Sequence, residues 1–254
     1  MPEAIDWQAV YSEVLTTERN RPVADYDYED AKELVHILAD RFLTRDQNSH
    51  SFTFVEHRFE TPYCRGVADL GNTSVIVDWK TRVTGELDPA WQARHVDSWQ
   101  WRITAAAMGC RTFIYRGIAR QTGKVREVEI EVPEDNNERV VNFLSQLHRA
   151  REAYISFSVW PQNKPSACYA FNRTCEFYTQ CSNGTEPVAS ILSPPPFSYS
   201  GAMTFLACPE KHRRTLLAPD TDRGTEESEF GQMVHRGIAE VYKQTYGIEK
   251  EIRG

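Results

Sequence analysis

The sequence predicts an α/β layer architecture, in which helices cover the faces of a β-sheet. Short runs of β-branched and other apolar residues alternate with longer segments whose apolar residues recur every three or four positions. The predicted order is two helices, three strands, a helix, two strands and a helix, which is typical of a layered α/β domain. The composition, 41% hydrophobic and 26% charged, provides enough apolar material for a core.

The elements follow one another along the first 157 residues. Residues 6–18 and 29–43 are predicted amphipathic helices, and the second has one apolar stripe: Ala31, Leu34, Val35, Leu38 and Phe42. Strands are predicted at 52–60, 65–70, 74–80, 112–118 and 125–132, with helices at 89–108 and 135–157. Asp88 and Pro89 open the helix at 89–108, and Gly109 closes it. Its tryptophans at 91, 99 and 101 are expected to pack in the core rather than to stack on bases.

Length and charge limit the classes of function. With 254 residues, the chain can form one large domain or two small ones. It has no apolar run of about 18 residues and no basic segment followed by an apolar one, so a cytoplasmic protein with no membrane partner is expected. The net charge of −7 argues against a protein that passively coats nucleic acid, and any DNA binding must use a local groove.

Two acids and a lysine at the ends of apolar strands are the most informative feature. Asp69 ends one apolar stretch, and Asp78 and Lys80 follow the run Val75-Ile76-Val77 on one face of the next strand. Two carboxylates that can hold a divalent cation, beside an ammonium, are suited to metal-assisted hydrolysis of a phosphodiester. Taken alone, the same pattern is more often a solvated strand end or a surface ion pair. A tight hairpin at Gly71-Asn72 would not place the two acids directly opposite each other.

The order of these motifs resembles the RecB-like branch of the PD-(D/E)XK nuclease superfamily. The resemblance rests on Phe54-Val55-Glu56, Gly66-x-x-Asp69, Val77-Asp78-Trp79-Lys80-Thr81 and a following Gln100. It implies a restriction-endonuclease-like core with a mixed sheet, dependence on Mg²⁺ or Mn²⁺, and cleavage of DNA. Asp69, Asp78 and the backbone carbonyl of Trp79 would then bind the metal, and Lys80 would position the attacking water. Gln100 would be the glutamine of the family's Gln-x-x-x-Tyr motif, although position 104 is Thr here; Glu60 is expected to be an exposed strand residue.

The cysteines form a second pattern, since three of the six lie in one short segment. These are Cys168, Cys175 and Cys181, and Cys208 can act as a fourth thiolate. Disulfides are disfavoured because nothing indicates secretion, whereas independent structural thiols and a metal site stay open. The resemblance favours a 4Fe–4S cluster, which many RecB-like nucleases build from one cysteine before the nuclease motifs and three after them. Zn²⁺ is the alternative.

The last third of the chain contains the pieces that normally open such a nuclease. After Pro194-Pro195-Pro196 come a Ser-led helix, the pair Cys208-Pro209, and Gly231-x-x-x-His235, whose histidine is a metal ligand in many members of the family. Two explanations fit this reversed order: a circular permutation, or a tandem gene of which residues 197–254 begin a second unit. The alternative for His235 is a surface residue without a ligand role.

These observations predict a nuclease core at 1–160, a Cys-rich appendage at 161–184, a Pro-rich linker at 185–196 and a helical segment at 197–254. The predicted function is that of a metal-dependent DNA nuclease, an exonuclease in recombination, repair or phage DNA metabolism. Expected partners are DNA and a helicase or a single-strand annealing or binding protein. The alternative function is a non-catalytic module that binds DNA or a partner and is stapled by a structural metal site.

Overall fold

The computed structural model describes residues 5–15, 25–82, 86–162, 168, 174–183, 194–217 and 226–248. The chain divides into two compact units. Unit 1 contains Met1–Phe59, Val67–Asn136 and Gly224–Gly254, and unit 2 contains Glu60–Gly66 and Asn137–Arg223. The four predicted segments remain predictions, because much of 161–196 lies outside the described residues.

Unit 1 is built on a mixed five-stranded sheet flanked by helices, so the α/β prediction is confirmed. The strands are β1 (Phe54–Glu60), β2 (Arg65–Gly71), β3 (Val75–Arg82), β4 (Thr112–Ala119) and β5 (Val125–Glu131), in the spatial order β1-β2-β3-β4-β5. β3 and β4 are parallel, whereas β2–β3 and β4–β5 are antiparallel. The helices of this unit are α1 (Trp7–Leu15), α2 (Asp25–Ser49), α3 (Pro89–Val96), α4 (Trp99–Met108) and α9 (Glu226–Tyr246).

The prediction of a single helix over residues 89–108 is wrong, because the structure has two helices there. Asp97 ends α3, and its backbone N–H bonds to the carbonyls of Ala93 and His95. Ser98 then starts α4 in an extended conformation and accepts a hydrogen bond from the Gln100 N–H. A serine that caps a new helix stabilises the break. The predicted closing residue is correct, since Gly109 adopts φ +68° at the end of α4.

The turn between β2 and β3 lies two residues later than a hairpin at Gly71-Asn72 would place it. The Asn72 side chain accepts hydrogen bonds from the N–H groups of Ser74 and Val75, and the Asn72 N–H donates to the Val75 carbonyl. An Asn side chain that bonds to the backbone two residues on stabilises a turn at that position. The resulting register pairs Leu70 with Val77, so Asp69 and Asp78 are the next residues along the two strands.

Two apolar clusters cover the sheet. One is formed by α1, α2 and α9 with β-strand residues that include Leu70, Val77 and Trp79. The other is formed by α3 and α4 with residues that include Ile76, Phe113 and Tyr115. Trp91 and Trp101 are buried in this second cluster, which confirms their predicted packing role.

A buried ion pair joins elements that are distant in sequence. The Arg116 guanidinium on β4 donates to both carboxylate oxygens of Asp46 on α2, at 2.5 and 2.6 Å, and both side chains are fully buried. Tyr242 on α9 also donates to Asp46. Because buried charges are stable only when paired, this network fixes α2, β4 and α9 relative to one another.

Unit 2 is largely helical. Its described helices are α5 (Asn136–Phe157), α6 (Tyr178–Ser182), α7 (Tyr199–Ala207) and α8 (Pro209–Leu217). Ser198 caps α7 by accepting the Gly201 N–H, as the predicted Ser-led helix requires. Cys208 ends α7 and Pro209 begins α8, where the proline fits because its position needs no donor.

Among the helices that the structure describes, none is both long enough and apolar enough to cross a membrane.

Candidate functional site

Strand β3 brings Asp78 and Lys80 together, as the alternation of side chains predicts. The Lys80 ammonium contacts Asp78 Oδ2. The Asp78 side chain is 9% exposed and that of Lys80 is 25% exposed, so the pair lies at the boundary between core and solvent.

Helix α4 supplies the second contact of Asp78. The Gln100 side chain donates from Nε2 to Asp78 Oδ1 at 2.9 Å. The Ser98 cap fixes the first turn of α4, in which Gln100 lies, so the helix boundary positions this amide. Thr104, which stands where the resemblance would place Tyr, is buried in the same helix.

Asp69, on β2, is the second acid of this site. Its Oδ2 accepts a hydrogen bond from the Trp79 N–H at 2.9 Å. The same oxygen lies 3.6 Å from His235 Nδ1. The backbone between Asp78 and Lys80 is therefore tied to Asp69, which brings both acids to one place in unit 1.

Helix α9 carries His235 to the strands. Its buried face, with Phe230, Met233, Val234 and Ile238, packs into the cluster that contains Trp79. At Gly231 an added Cβ would lie only 3.9 Å from the Thr81 Cβ, so the helix lies close to the strand. Burial, together with the nearby positive charge of Lys80, lowers the pKa of His235 to about 4, and the imidazole is neutral at pH 7.

Burial is the largest influence on the pKa of both acids. Burial raises the pKa of Asp69, against the opposing effects of the Lys80 charge and the Trp79 N–H. Burial also raises the pKa of Asp78, which Lys80 lowers and Asp69 raises further. One ammonium thus compensates two partly desolvated carboxylates, a combination that favours binding of an additional cation.

Two side chains near this group were not assigned a role from the sequence. Glu56, on β1, has φ +53° and accepts a hydrogen bond from Lys243 at 2.8 Å; its charge raises the pKa of both Asp69 and His235. A left-handed conformation at a residue other than glycine is costly and is concentrated at functional sites. His95, on α3, interacts electrostatically with Lys80 and Asp78. The sequence contained a signal for Glu56, in the motif Phe54-Val55-Glu56, but none for His95.

The structure places the predicted cluster cysteines in unit 2, where Cys168 and Cys208 are buried and Cys175 and Cys181 are partly buried. The Cys175 N–H donates to the Cys168 carbonyl at 2.7 Å, and Cys208 Sγ accepts the Lys211 N–H at 3.4 Å. Two side-chain contacts join α8 to the segment that holds Cys175 and Cys181: Lys211 with Glu176 at 3.2 Å, and Arg214 with Gln180 at 2.9 Å. Cys64 and Cys110 are buried thiols, and burial raises the pKa of Cys110 to about 12.

Across the described part of the chain, no group of three or more histidine, cysteine, aspartate or glutamate side chains is arranged to hold a metal ion as it stands. In unit 1, the Lys80 ammonium contacts Asp78 Oδ2, so a metal ion could bind this oxygen only if Lys80 moved away from it.

The comparisons with known proteins identify no family. No protein-family model matches the chain. No curated protein matches it either. Among solved structures, the one described as "Crystal structure of SSO0001" is similar over 75% of this chain and 95% of that chain, with 16% identity and a TM-score of 0.33.

Proposed function

We propose that this protein is a metal-dependent DNA nuclease that hydrolyses phosphodiester bonds. The observation that carries the proposal is the convergence of Asp69, Asp78 and Lys80 in unit 1, with His235 and Gln100 in contact with the two acids. Two carboxylates that can hold a divalent cation, beside an ammonium, are suited to metal-assisted phosphodiester hydrolysis.

The donor set fits Mg²⁺ or Mn²⁺. Carboxylate and carbonyl oxygens suit these hard cations, and imidazole is compatible with Mn²⁺. Asp69, Asp78, the Trp79 carbonyl and His235 would hold the ion, and Lys80 would release Asp78 Oδ2 to it. The raised pKa of each aspartate supports this assignment, because a divalent cation would relieve the cost of burying both charges. The metal would supply Lewis-acid stabilisation of the negative charge on the phosphate.

The side chains of the chain itself orient the reaction. Lys80, once released from Asp78, donates a hydrogen bond to the attacking water and aligns it with the phosphorus. Gln100 holds Asp78 through its Nε2–H, and the Trp79 N–H holds Asp69. Preorganised groups of this kind lower the barrier because they need not rearrange during the reaction.

The test compares the parent protein with Lys80→Ala and Lys124→Ala on linear DNA with Mg²⁺ or Mn²⁺. Lys124 is an exposed lysine that pairs with Glu86 at 2.9 Å and is the matched control. We expect the parent and Lys124→Ala to degrade DNA and Lys80→Ala to lose at least ~100-fold in rate. Equal degradation by parent and Lys80→Ala would refute the assignment.

Two comparisons refine the proposal. An exonuclease degrades linear DNA and spares covalently closed circles, so the ratio of these two rates tests the proposed exonuclease action. If Mn²⁺ raises the Tm of the parent but no DNA is cleaved, the protein is instead a non-catalytic module that binds DNA or a partner.

We also propose that Cys168, Cys175, Cys181 and Cys208 hold a structural 4Fe–4S cluster, with Zn²⁺ as the alternative. The contacts between α8 and the 174–183 segment support this, because they bring the Cys175 segment and the helix that follows Cys208 together within unit 2. Anaerobic preparation followed by iron, sulfide and zinc analysis distinguishes the two. We expect Cys181→Ser to lose the bound metal and Cys110→Ser to retain it; a metal-free parent would overturn the proposal.

A further inference from the structure

We propose that His95 is a further catalytic residue of this site, the general base that takes a proton from the attacking water. The inference rests on the proposed nuclease function and goes beyond it, because it identifies His95 Nε2 as the atom that accepts the proton of the water.

Helix α3 places His95 beside Tyr115, a ring that Lys80 also contacts. Asp88 caps the helix by accepting the Trp91 N–H at 2.6 Å. Trp91 then packs against Gly117 on β4, where an added Cβ would lie only 2.6 Å from the Trp91 ring. One turn later, the His95 ring lies 4.8 Å from the Tyr115 ring, measured between centroids. Lys80 Nζ lies 5.6 Å from the centroid of the same tyrosine, so Tyr115 is a neighbour that His95 and Lys80 have in common.

The hydrogen bonding of His95 fixes its tautomer. His95 Nδ1 lies 2.8 Å from the Trp91 carbonyl oxygen. A carbonyl can only accept, so Nδ1 carries the hydrogen and Nε2 has the lone pair. The Trp91 carbonyl thus orients the imidazole and stabilises its positive charge once Nε2 is protonated, which is the arrangement that a general base requires.

Burial and the neighbouring positive charges favour the neutral form of His95. Burial lowers the pKa of His95, Lys80 and Arg94 lower it further, and Asp78 and the bond to the Trp91 carbonyl oppose the shift. A neutral imidazole is the form that accepts a proton at pH 7. The ring is partly exposed, so a water molecule can reach it.

The proposed step balances as follows. A proton of the attacking water moves to His95 Nε2, and the electron pair of the broken O–H bond forms the new O–P bond. The P–O bond to the leaving group breaks, and its electron pair remains on the leaving oxygen, which takes a proton from solvent. The imidazolium then returns its proton to solvent, and the product is a phosphate monoester.

The experiment uses the full chain and separates a catalytic role from a structural one. His95→Asn keeps an amide N–H near the position of Nδ1, so it can still donate to the Trp91 carbonyl, but it has no group that accepts a proton. We expect it to lower kcat by ~100-fold or more with little change in KM. We also expect added imidazole to restore part of the activity of His95→Ala. The control is His50→Asn, a histidine whose ring packs on Phe52 at 5.3 Å, and it should retain the parental kcat.

The outcomes separate this inference from the proposed function. If the parent cleaves DNA and His95→Asn retains its kcat, His95 is a structural residue and the inference is overturned while the nuclease proposal stands. If the parent does not cleave DNA, both fall. An independent measurement is ¹⁵N NMR of the imidazoles at pH 7: a neutral His95 with the hydrogen on Nδ1 is expected, and a hydrogen on Nε2 would overturn the inference without any activity assay.

Discussion

At the scale of single residues, the burial of Arg151 and His212 in unit 2 shows how a buried positive charge affects a neighbouring histidine. Arg151 is 1% exposed and lies over the Phe197 ring at 3.9 Å, and its Nη2 lies 3.4 Å from His148 Nδ1. His212 is 5% exposed and packs against Phe197 and Phe205. Burial and the nearby Arg151 charge lower the pKa of His212 to about 4. A protonated His212 would therefore place a second positive charge near the buried Arg151, which would cost stability.

This arrangement predicts a pH dependence of stability. The pKa of His212 is about 4 when folded against about 6.5 when unfolded, so the unfolded state binds the proton first as the pH falls. The stability that the folded protein gains from keeping His212 neutral is therefore intact above pH 6.5. It is lost between pH 6.5 and 4, which lowers the free energy of unfolding by about 3 kcal/mol in total. We expect urea unfolding of the parent to lose more stability between pH 7 and 5 than that of His212→Phe, which cannot titrate. Equal losses in the two proteins would contradict the prediction.

Residue patterns indicated Asp69, Asp78 and Lys80 more clearly than the side chains that surround them. Asp69, Asp78 and Lys80 could be singled out because charged residues stand out at the ends of apolar strands. His95 could not be singled out in this way, because a histidine on a helix is ordinary in a sequence. Glu56 was visible only as part of the motif Phe54-Val55-Glu56, without a role. Their interest depends on distances and backbone angles that only the folded chain provides.

At the scale of elements, the break between α3 and α4 determines where Gln100 lies. The periodicity of apolar residues continues through 89–108, so the sequence predicts one helix, and a serine in its middle does not by itself indicate a stop. In the structure the Ser98 side chain accepts a hydrogen bond from the Gln100 N–H, which has no partner within the helix, and so stabilises the start of a second helix. Only this second helix carries the amide that contacts Asp78.

Ser98 therefore affects both stability and the proposed activity. We expect Ser98→Ala to lower the free energy of unfolding by about 1 kcal/mol and to lower kcat through loss of the Gln100 contact. Ser98→Asp keeps a capping oxygen and should preserve both quantities. Urea unfolding and the DNA degradation rate measure the two effects. A normal rate in a destabilised Ser98→Ala would show that the cap does not position Gln100.

The turn between β2 and β3 shows that a local hydrogen bond can also determine how two strands are joined. The presence of both strands was predicted within two residues at each end, but Gly71-Asn72 suggested a turn at the wrong place. The Asn72 side chain moves the turn to Thr73 and Ser74, and the register follows from it. Short-range side-chain hydrogen bonds of this kind compete with the turn propensity of a residue pair. Sequence patterns do not show which of the two determines the position of the turn.

At the scale of the whole molecule, the site of unit 1 combines parts that are far apart in sequence. The α/β class was predicted because each element has its own periodic signal, whereas the mixed sheet was expected only from the family resemblance. The position of α9 against β3 depends instead on long-range packing, which periodicity does not reveal. This packing brings His235 Nδ1 to 3.6 Å from Asp69 Oδ2, a proximity that only the folded chain provides.

Metal binding should stabilise the whole of unit 1. Because a ligand that binds only the folded state stabilises it in proportion to the logarithm of its concentration, Mn²⁺ at 100 times its Kd should add about 2.7 kcal/mol. We expect the Tm of the parent to rise with Mn²⁺ and that of Asp78→Asn to stay unchanged, with Asp88→Asn as the control that retains a cap. Equal rises in the parent and Asp78→Asn would place the bound ion elsewhere.

The position of His235 on α9 also has a consequence for synthesis of the protein. A ribosome produces Asp69 and Asp78 long before it produces the imidazole, and α9 can dock only after it has left the exit tunnel. A nascent chain therefore has carboxylates without their histidine, so the proposed metal site can be completed only after translation has passed α9.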